Sequence, residues 1–358
     1  MSKSSFPKLS FLCFGVGAIG TYIGGSLALI GQKVVFVERP AIAAEVKKNG
    51  LHLRLKEKEF HLPDPEVVAT VEEALRCGPF DVAIFAVKSF DTQAALDDLR
   101  PYAVALPPFL CLQNGVENEP RLAAVLGAEK VIAGSVTSAI GRRGAGDIVL
   151  ERLRGIGVAS DLGLTPTLVA VMQAAGLKAR QYASAPSMKW SKMLTNLLAN
   201  ASSAVLDMSP TAIFANPGLY WLEVQEYREA LRVMEAQHIK VTDLPGTPVS
   251  LLSWLIEEFP PAFSRPLLVR SLGKGRGGKM PSFHIDLSSG RGVSEVDYLN
   301  GAVVRFGQRL GIPTPVNDCL NQTLLALTRG EIPRAAYSHQ PAKLLALIDQ
   351  DGVRKKGG

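Results

Sequence analysis

The stretch Cys13–Gly20, CFGVGAIG, constrains this chain more than any other, because it sets three glycines at G-x-G-x-x-G spacing in a readable setting. The apolar run LSFLCF ends directly at Gly15, and AIGTYIGGSLALI then repeats apolar residues at helical spacing until Gly31 offers a stop. KVVFVER resumes as a second buried strand. Glycines at this spacing recur by chance, but strand, glycine turn, helix and strand in that order form the βαβ unit that seats a dinucleotide. In such a unit Gly15 permits the tight turn, Gly17 lets the backbone approach a pyrophosphate, and Gly20 lets the helix sit close to the strand. The helix N-terminus offers unpaired N–H groups and a partial positive charge to the phosphates. The candidate cofactor-binding stretch is therefore Gly15, Val16, Gly17, Ala18, Ile19 and Gly20.

Strand-like and helical runs then alternate: DVAIFAV (81–87), a polar helix from about Asp91 to Leu99, FLCLQNGV (109–116), a helix over about Glu119–Leu126, and KVIAGSVT. This alternation predicts a mostly parallel, helix-covered sheet with ligands at the carboxyl ends of its strands. Two of those ends are polar: Lys88-Ser89 follows AIFAV, and Gln113-Asn114-Gly115 follows LCL, where the far half of a dinucleotide passes. Past about residue 184 the texture changes to long helical patterns punctuated by proline. The expected architecture is α/β, with an N-terminal Rossmann-type domain over 1–184 and an all-helical C-terminal domain over 185–345. Residues 346–358 form a tail, and the site is expected in a cleft that closes between the domains. SMKWSKMLTNLLANASSAVLD (187–207) reads as one helix with Lys192, Asn196 and Asn200 on a single face. Trp190, Met193, Leu194, Leu197 and Leu198 cover much of the rest, so the polar stripe faces either water or a polar cleft. A solvated face more often carries Glu, Lys and Arg than paired asparagines, which favours the cleft.

Composition excludes other classes. A length of 358 residues with 47% hydrophobic content suggests about two domains. No apolar run reaches the roughly 18–20 residues of a membrane helix, and the first residues lack a signal pattern, so a soluble, cytoplasmic protein with no membrane partner is expected. The cysteines, Cys13, Cys77, Cys111 and Cys319, are scattered without a C-x-x-C pair and indicate neither a metal site nor a disulfide framework. The formal charge of +6 is carried by Lys274, Arg276 and Lys279 in GKGRGGK and by Arg354, Lys355 and Lys356 near the end. Without those six it is zero, and no basic stripe interleaves with aromatics, so nucleic acid is not an expected partner. Residues 273–279 also match G-x-x-x-x-G-K, but Met280 stands where a magnesium-binding hydroxyl belongs and no buried strand precedes the loop. A nucleotide-hydrolase reading is rejected. In RGVSEVDYLNG (291–301), Glu295 and Asp297 stand just before a helix, where capping alone explains at least one of them.

Six separated motifs, GVGAIG, AVKSFDT, QNGVEN, WSKMLTNLLAN, PSFHIDL and SEVDYLNG, occur in an order that resembles the ketopantoate reductase (2-dehydropantoate 2-reductase) family, over roughly residues 10–335. The resemblance implies that Lys192 is the catalytic lysine, protonating the carbonyl oxygen as hydride arrives. It implies that Asn196, Asn200, Ser282 and Glu295 contact the substrate or position that lysine. Lys88 and Asn114 match positions near the nicotinamide and ribose, and Arg39 matches the arginine for the 2′-phosphate of NADPH. The family's usual P-S-M-L-Q-D-L is PSFHIDL here, bringing Phe283, His284 and Ile285, and the chain is one residue longer than the common pattern between Asp286 and Glu295. Both departures lie beside the expected substrate pocket, so they leave the particular keto acid open. His284 is read as a packing or hydrogen-bonding residue rather than a second acid.

The resemblance thus implies NADPH-dependent reduction of a small 2-keto acid, 2-dehydropantoate to pantoate, with Lys192 as general acid and Glu295 holding it. Alternatives are a related dehydrogenase for another hydroxy acid or an opine-like substrate, and a non-enzymatic dinucleotide sensor, which leaves Lys192, Asn196 and Glu295 unexplained. NADPH is expected over NADH, although Glu38, at the end of the second strand, argues against Arg39. A homodimer is compatible with the sequence.

Overall fold

A computed structural model describes residues 6–276 and 280–350. The chain divides into two compact units, one of residues 1–189 with 244–247, the other of residues 190–243 with 248–358.

The first unit is built on two sheets. Its strands are β1 (Ser10–Phe14), β2 (Lys33–Val37), β3 (Leu51–Leu55), β4 (Lys58–Leu62), β5 (Glu66–Val68), β6 (Val82–Phe85), β7 (Phe109–Cys111), β8 (Val131–Val136), β9 (Ala139–Gly144), β10 (Asp147–Arg152), β11 (Ile156–Ala159) and β12 (Ala179–Gln181). The larger sheet runs β12-β11-β8-β7-β6-β1-β2-β5. From β8 to β5 every pairing is parallel, and β11 joins β8 antiparallel. Parallel strands buried on both faces need apolar residues at every position, which is what LCF and VAIF supply. Alternate residues serve opposite cores. Leu12, Phe14, Val35, Ala83, Phe85 and Phe109 meet Leu96, Leu99, Leu122 and Leu126 on one side. Phe11, Cys13, Phe36, Val82, Ile84 and Leu110 meet Tyr22, Ile23 and Leu27 on the other.

Helix Ala18–Leu29 crosses from β1 to β2, as the sequence predicts. The four-stranded sheet β4-β3-β10-β9 was not anticipated, although LHLRL alternates at period two. It covers the same helix, since a Cβ at Gly25 would lie 2.7 Å from Leu53 of β3; the larger sheet approaches as closely, a Cβ at Gly24 lying 2.6 Å from Phe36 of β2.

The second unit is helical. Its longest helix, Pro217–Ala236, starts on an N-cap in which Asn216 Oδ1 accepts the Gly218 and Leu219 N–H groups at 2.9 and 3.1 Å. Around it pack Val296–Leu310, Pro315–Arg329 and Pro341–Gln350. The last of these takes in residues 346–350, which were expected as tail, because Leu344 and Ile348 are fully buried. The rest of that tail, with Arg354, Lys355 and Lys356, lies outside the described residues, as does Lys279.

The segment 187–207 corrects one expectation. It is not a single helix but two, Ala185–Leu197 and Ala201–Leu206, parted at Ala199, whose φ is +49°. The cause is tertiary. The buried Glu223 carboxylate, from the long helix, accepts the Ala199 N–H, which a continuous helix would have bonded internally, and also the Ser202 hydroxyl.

Candidate active site

In the first unit the candidate residues collect at the carboxyl ends of β1, β2, β6 and β7. Gly15 follows β1 with φ +94°, a left-handed conformation that side chains resist, and its N–H donates to Val37 O at 3.0 Å. Gly20 cannot be larger, since a Cβ there would sit 1.9 Å from the Gly15 carbonyl oxygen. Gly17 faces open space, with nothing within 4 Å of where its Cβ would be. It is also the N-cap of helix Ala18–Leu29 and supplies no side-chain acceptor; no acidic residue follows in the first turn. Ala18 and Ile19 open that helix, and the Val16 carbonyl is bound by the Thr21 hydroxyl at 3.0 Å. An open backbone surface beside an uncapped helix N-terminus fits a dinucleotide's pyrophosphate.

Glu38 and Arg39 behave differently from each other. Glu38 turns inward: its Oε2 accepts the Val16 N–H at 3.1 Å and its Oε1 accepts the Arg39 N–H at 2.9 Å. The Arg39 side chain is 86% exposed, with its Nε 3.7 Å from Glu38. The guanidinium thus stands on the surface beside the glycine loop, where a phosphate would reach it without desolvating a buried group.

Lys88 and Asn114, both half-buried, follow β6 and β7. Their loops are tied together. Gln113 Nε2 donates to Val87 O at 3.0 Å and to the Thr92 hydroxyl at 2.7 Å. Asn118 Nδ2 donates to Asn114 O at 2.7 Å and to the Ser89 hydroxyl at 3.2 Å. Sequence reasoning missed Lys189. Its side chain is 5% exposed, and Nζ lies 2.6 Å from Gln113 O, 3.3 Å from Gly134 O and 2.7 Å from a Glu119 carboxylate oxygen. Burial pushes this ammonium's pKa down, but the Glu119 carboxylate more than offsets it and holds the value above that of a free lysine. A lysine between Met188 and Trp190 in an apolar stretch was the signal available.

In the second unit the structure brings Lys192, Asn196, Asn200 and Ser282 into one hydrogen-bonded chain. Lys192 Nζ donates to Asn196 Oδ1 at 2.8 Å. Asn200, placed by the helix break, donates Nδ2 to the Asn196 carbonyl at 3.0 Å and to Ser282 Oγ at 3.2 Å. Its Oδ1 accepts the Phe283 N–H at 3.1 Å, fixing the start of helix Ser282–Ser288. Glu295 is buried at the N-cap of helix Val296–Leu310 yet makes no side-chain cap bond. Its neighbour Asp297 is a helix-end residue held by Arg305, with Nη1 2.9 Å from Oδ1. Capping therefore does not account for Glu295. Phe283 is fully buried, Ile285 is exposed, and His284 pairs with Asp207 at 2.7 Å. Among the described residues no group of three or more His, Cys, Asp or Glu is arranged to hold a metal ion, and no helix is long and apolar enough to cross a membrane.

Comparison with known proteins matches two segments of the chain. The family description "Ketopantoate reductase PanE/ApbA" matches residues 11–160, and "Ketopantoate reductase PanE/ApbA C terminal" matches residues 186–328. The 2-dehydropantoate 2-reductase of Archaeoglobus fulgidus is 27% identical over 323 residues, 88% of this chain and 95% of that protein. Among solved structures, a PanE/ApbA family ketopantoate reductase from Ralstonia eutropha superposes with a TM-score of 0.75 at 26% identity, covering 90% of this chain and 99% of that one. D-Mandelate dehydrogenase, solved with NADH and anilino(oxo)acetate, shares the fold at a TM-score of 0.73 and 21% identity, over 89% and 98% of the two chains.

Proposed function

Because the chain belongs to the ketopantoate reductase family, a family of oxidoreductases, we propose that it carries out the NADPH-dependent reduction of a 2-keto acid, 2-dehydropantoate. The observation that supports this best is the ordered chain from Lys192 through Asn196 and Asn200 to Ser282, with Glu295 buried and relieved of capping. The nicotinamide, when bound, supplies the hydride.

The protein's own residues do the rest. The glycine loop and the N-terminus of helix Ala18–Leu29 receive the pyrophosphate, Arg39 the 2′-phosphate, and Lys88 and Asn114 the nicotinamide side of the cofactor. Asn196 holds the Lys192 ammonium so that one N–H points at the substrate carbonyl oxygen. As that oxygen gains charge, Lys192 first stabilises it and then transfers a proton to it. Ser282 and Asn200 hydrogen-bond the keto acid, and Glu295 keeps the lysine in place.

A second reading, reduction of a different 2-keto acid, is favoured by one local feature. Helix Ser282–Ser288 carries the His284–Asp207 pair two residues after Ser282, where the family's usual sequence differs. NADPH consumption by the purified protein across a panel of 2-keto acids separates the readings. The first expects ketopantoate to give the highest kcat/KM, the second expects another acid to do so, and no turnover with any of them defeats both.

A further inference from the structure

Resting on the reading that the nucleotide binds at the carboxyl ends of β6 and β7, we propose that Lys189 is a positioning residue that aims the Asn114 side chain at the cofactor. Lys189 Nζ donates to Gln113 O after β7 and to Gly134 O of β8, and forms an ion pair with Glu119 of helix Asn118–Leu126. Two of the ammonium's three N–H donors thus go to those carbonyls, and the Glu119 carboxylate balances its charge.

The consequence for Asn114 follows from backbone geometry. A residue's direction is set by the two peptide planes that flank its Cα. The plane before Asn114 carries the Gln113 carbonyl, which Lys189 holds at 2.6 Å. The plane after it carries the Asn114 carbonyl, which Asn118 holds at 2.7 Å and the Ser89 hydroxyl at 3.2 Å. Both dihedrals of Asn114 are thereby pinned, by Lys189 and Ser89 from elsewhere in the chain and by Asn118 from the helix that follows, and the chain turns away immediately at Gly115, with φ +90°. The Gln113 side chain extends the same hold to the loop that carries Lys88, through Val87 O and Thr92. A buried ion pair is in general replaceable by apolar residues without loss of stability, so stability alone does not call for a lysine here. The carbonyl contact does, because no apolar side chain can hold Gln113 O.

The test compares three variants of the full chain: Lys189→Met, Lys189→Met with Glu119→Met, and Glu119→Gln. Each is read by melting temperature, by NADPH affinity in a fluorescence titration, and by kcat and the KM values for NADPH and for the keto acid. Lys189→Met leaves the Glu119 carboxylate buried without its cation and should lower both melting temperature and affinity. The double variant removes that unpaired charge, so it should melt above Lys189→Met while binding NADPH at least about tenfold more weakly than wild type. Its loss should appear in the KM for NADPH, with the KM for the keto acid unchanged. Glu119→Gln keeps the carbonyl contacts and should bind NADPH within about threefold of wild type. Normal NADPH affinity in the double variant, or a tenfold loss in Glu119→Gln, overturns the proposal and leaves Lys189 as half of an ion pair. Wild-type protein that binds neither NADPH nor NADH would instead defeat the functional reading on which the proposal rests.

Discussion

Glu38 directs both carboxylate oxygens at backbone N–H groups, those of Val16 and Arg39, so it braces the glycine loop and leaves the Arg39 guanidinium exposed. Charge-assisted bonds to a phosphate contribute about 1.5–3 kcal/mol, so Arg39→Ala should weaken NADPH by roughly ten- to a hundredfold and NADH by much less. Glu38→Gln keeps one acceptor for Val16 but removes the negative charge, and should raise the ratio of NADPH to NADH affinity. Titrating both nucleotides against both variants checks this; unchanged NADPH affinity in Arg39→Ala would transfer selection to Glu38. At the chemical end, Lys192→Ala should lower kcat at least about a hundredfold while nucleotide binding persists, as expected for loss of the acid in the transition state. Near-normal turnover would remove Lys192 from that role. Ser282→Ala should act instead on the KM of the keto acid, through one lost hydrogen bond to it.

The elements that carry these residues depend on breaks as much as on regularity. The interruption at Ala199 places Asn200 where it reaches Ser282 and the Phe283 N–H, and Glu223 sustains it by accepting the Ala199 N–H that the break frees. A β-carbon in the left-handed region costs about 1 kcal/mol, so Ala199→Gly should be neutral or stabilise by up to about that amount. A drop of several degrees in melting temperature would show that the Ala199 methyl group contributes more by packing than it costs in strain. At the other end of the chain, Gly20→Ala should be far more damaging. The contact with the Gly15 carbonyl would force helix Ala18–Leu29 away from β1, lowering both nucleotide affinity and stability.

For the molecule as a whole, the carboxyl groups buried along helix Pro217–Ala236 give stability an unusual pH dependence. Burial, and then the neighbouring Glu223, pushes the Glu226 carboxyl well above its ordinary range; burial lifts Glu229 to about 7 against its bonds from Asn317 and Val316. The folded chain therefore keeps protons that the unfolded chain releases above a pKa near 4.5. Linkage then makes these groups most favourable below that value and progressively costly as pH rises, for Glu229 across the interval from about 4.5 to about 7. Glu226→Gln mimics the protonated carboxyl, keeps an oxygen for Asn300 and removes the cost. The melting temperature of Glu226→Gln relative to wild type should climb between pH 5 and pH 8. A gap that stays constant or narrows would mean that Glu226 is ionised in the fold.

The sequence by itself determined what depends on neighbours along the chain. The β1, glycine turn, helix and β2 order was legible because each part has a local signature: apolar strands buried on both faces, glycines where backbone must turn or approach, and a 3.6-residue period between them. Lys88 and Asn114 were legible as polar residues at strand ends, and Lys192 and Asn196 as helix neighbours four residues apart. Tertiary structure decided what depends on partners far away in sequence. Glu223 breaks a helix that its own segment predicts as continuous, and Asn200 meets Ser282 across 82 positions. Lys189 finds Gln113 O and Glu119 only when β7, β8 and a helix are assembled around it. The physical reason is that helix and strand patterns are written in local periodicity, whereas a buried charge or amide is placed by whichever distant group satisfies it.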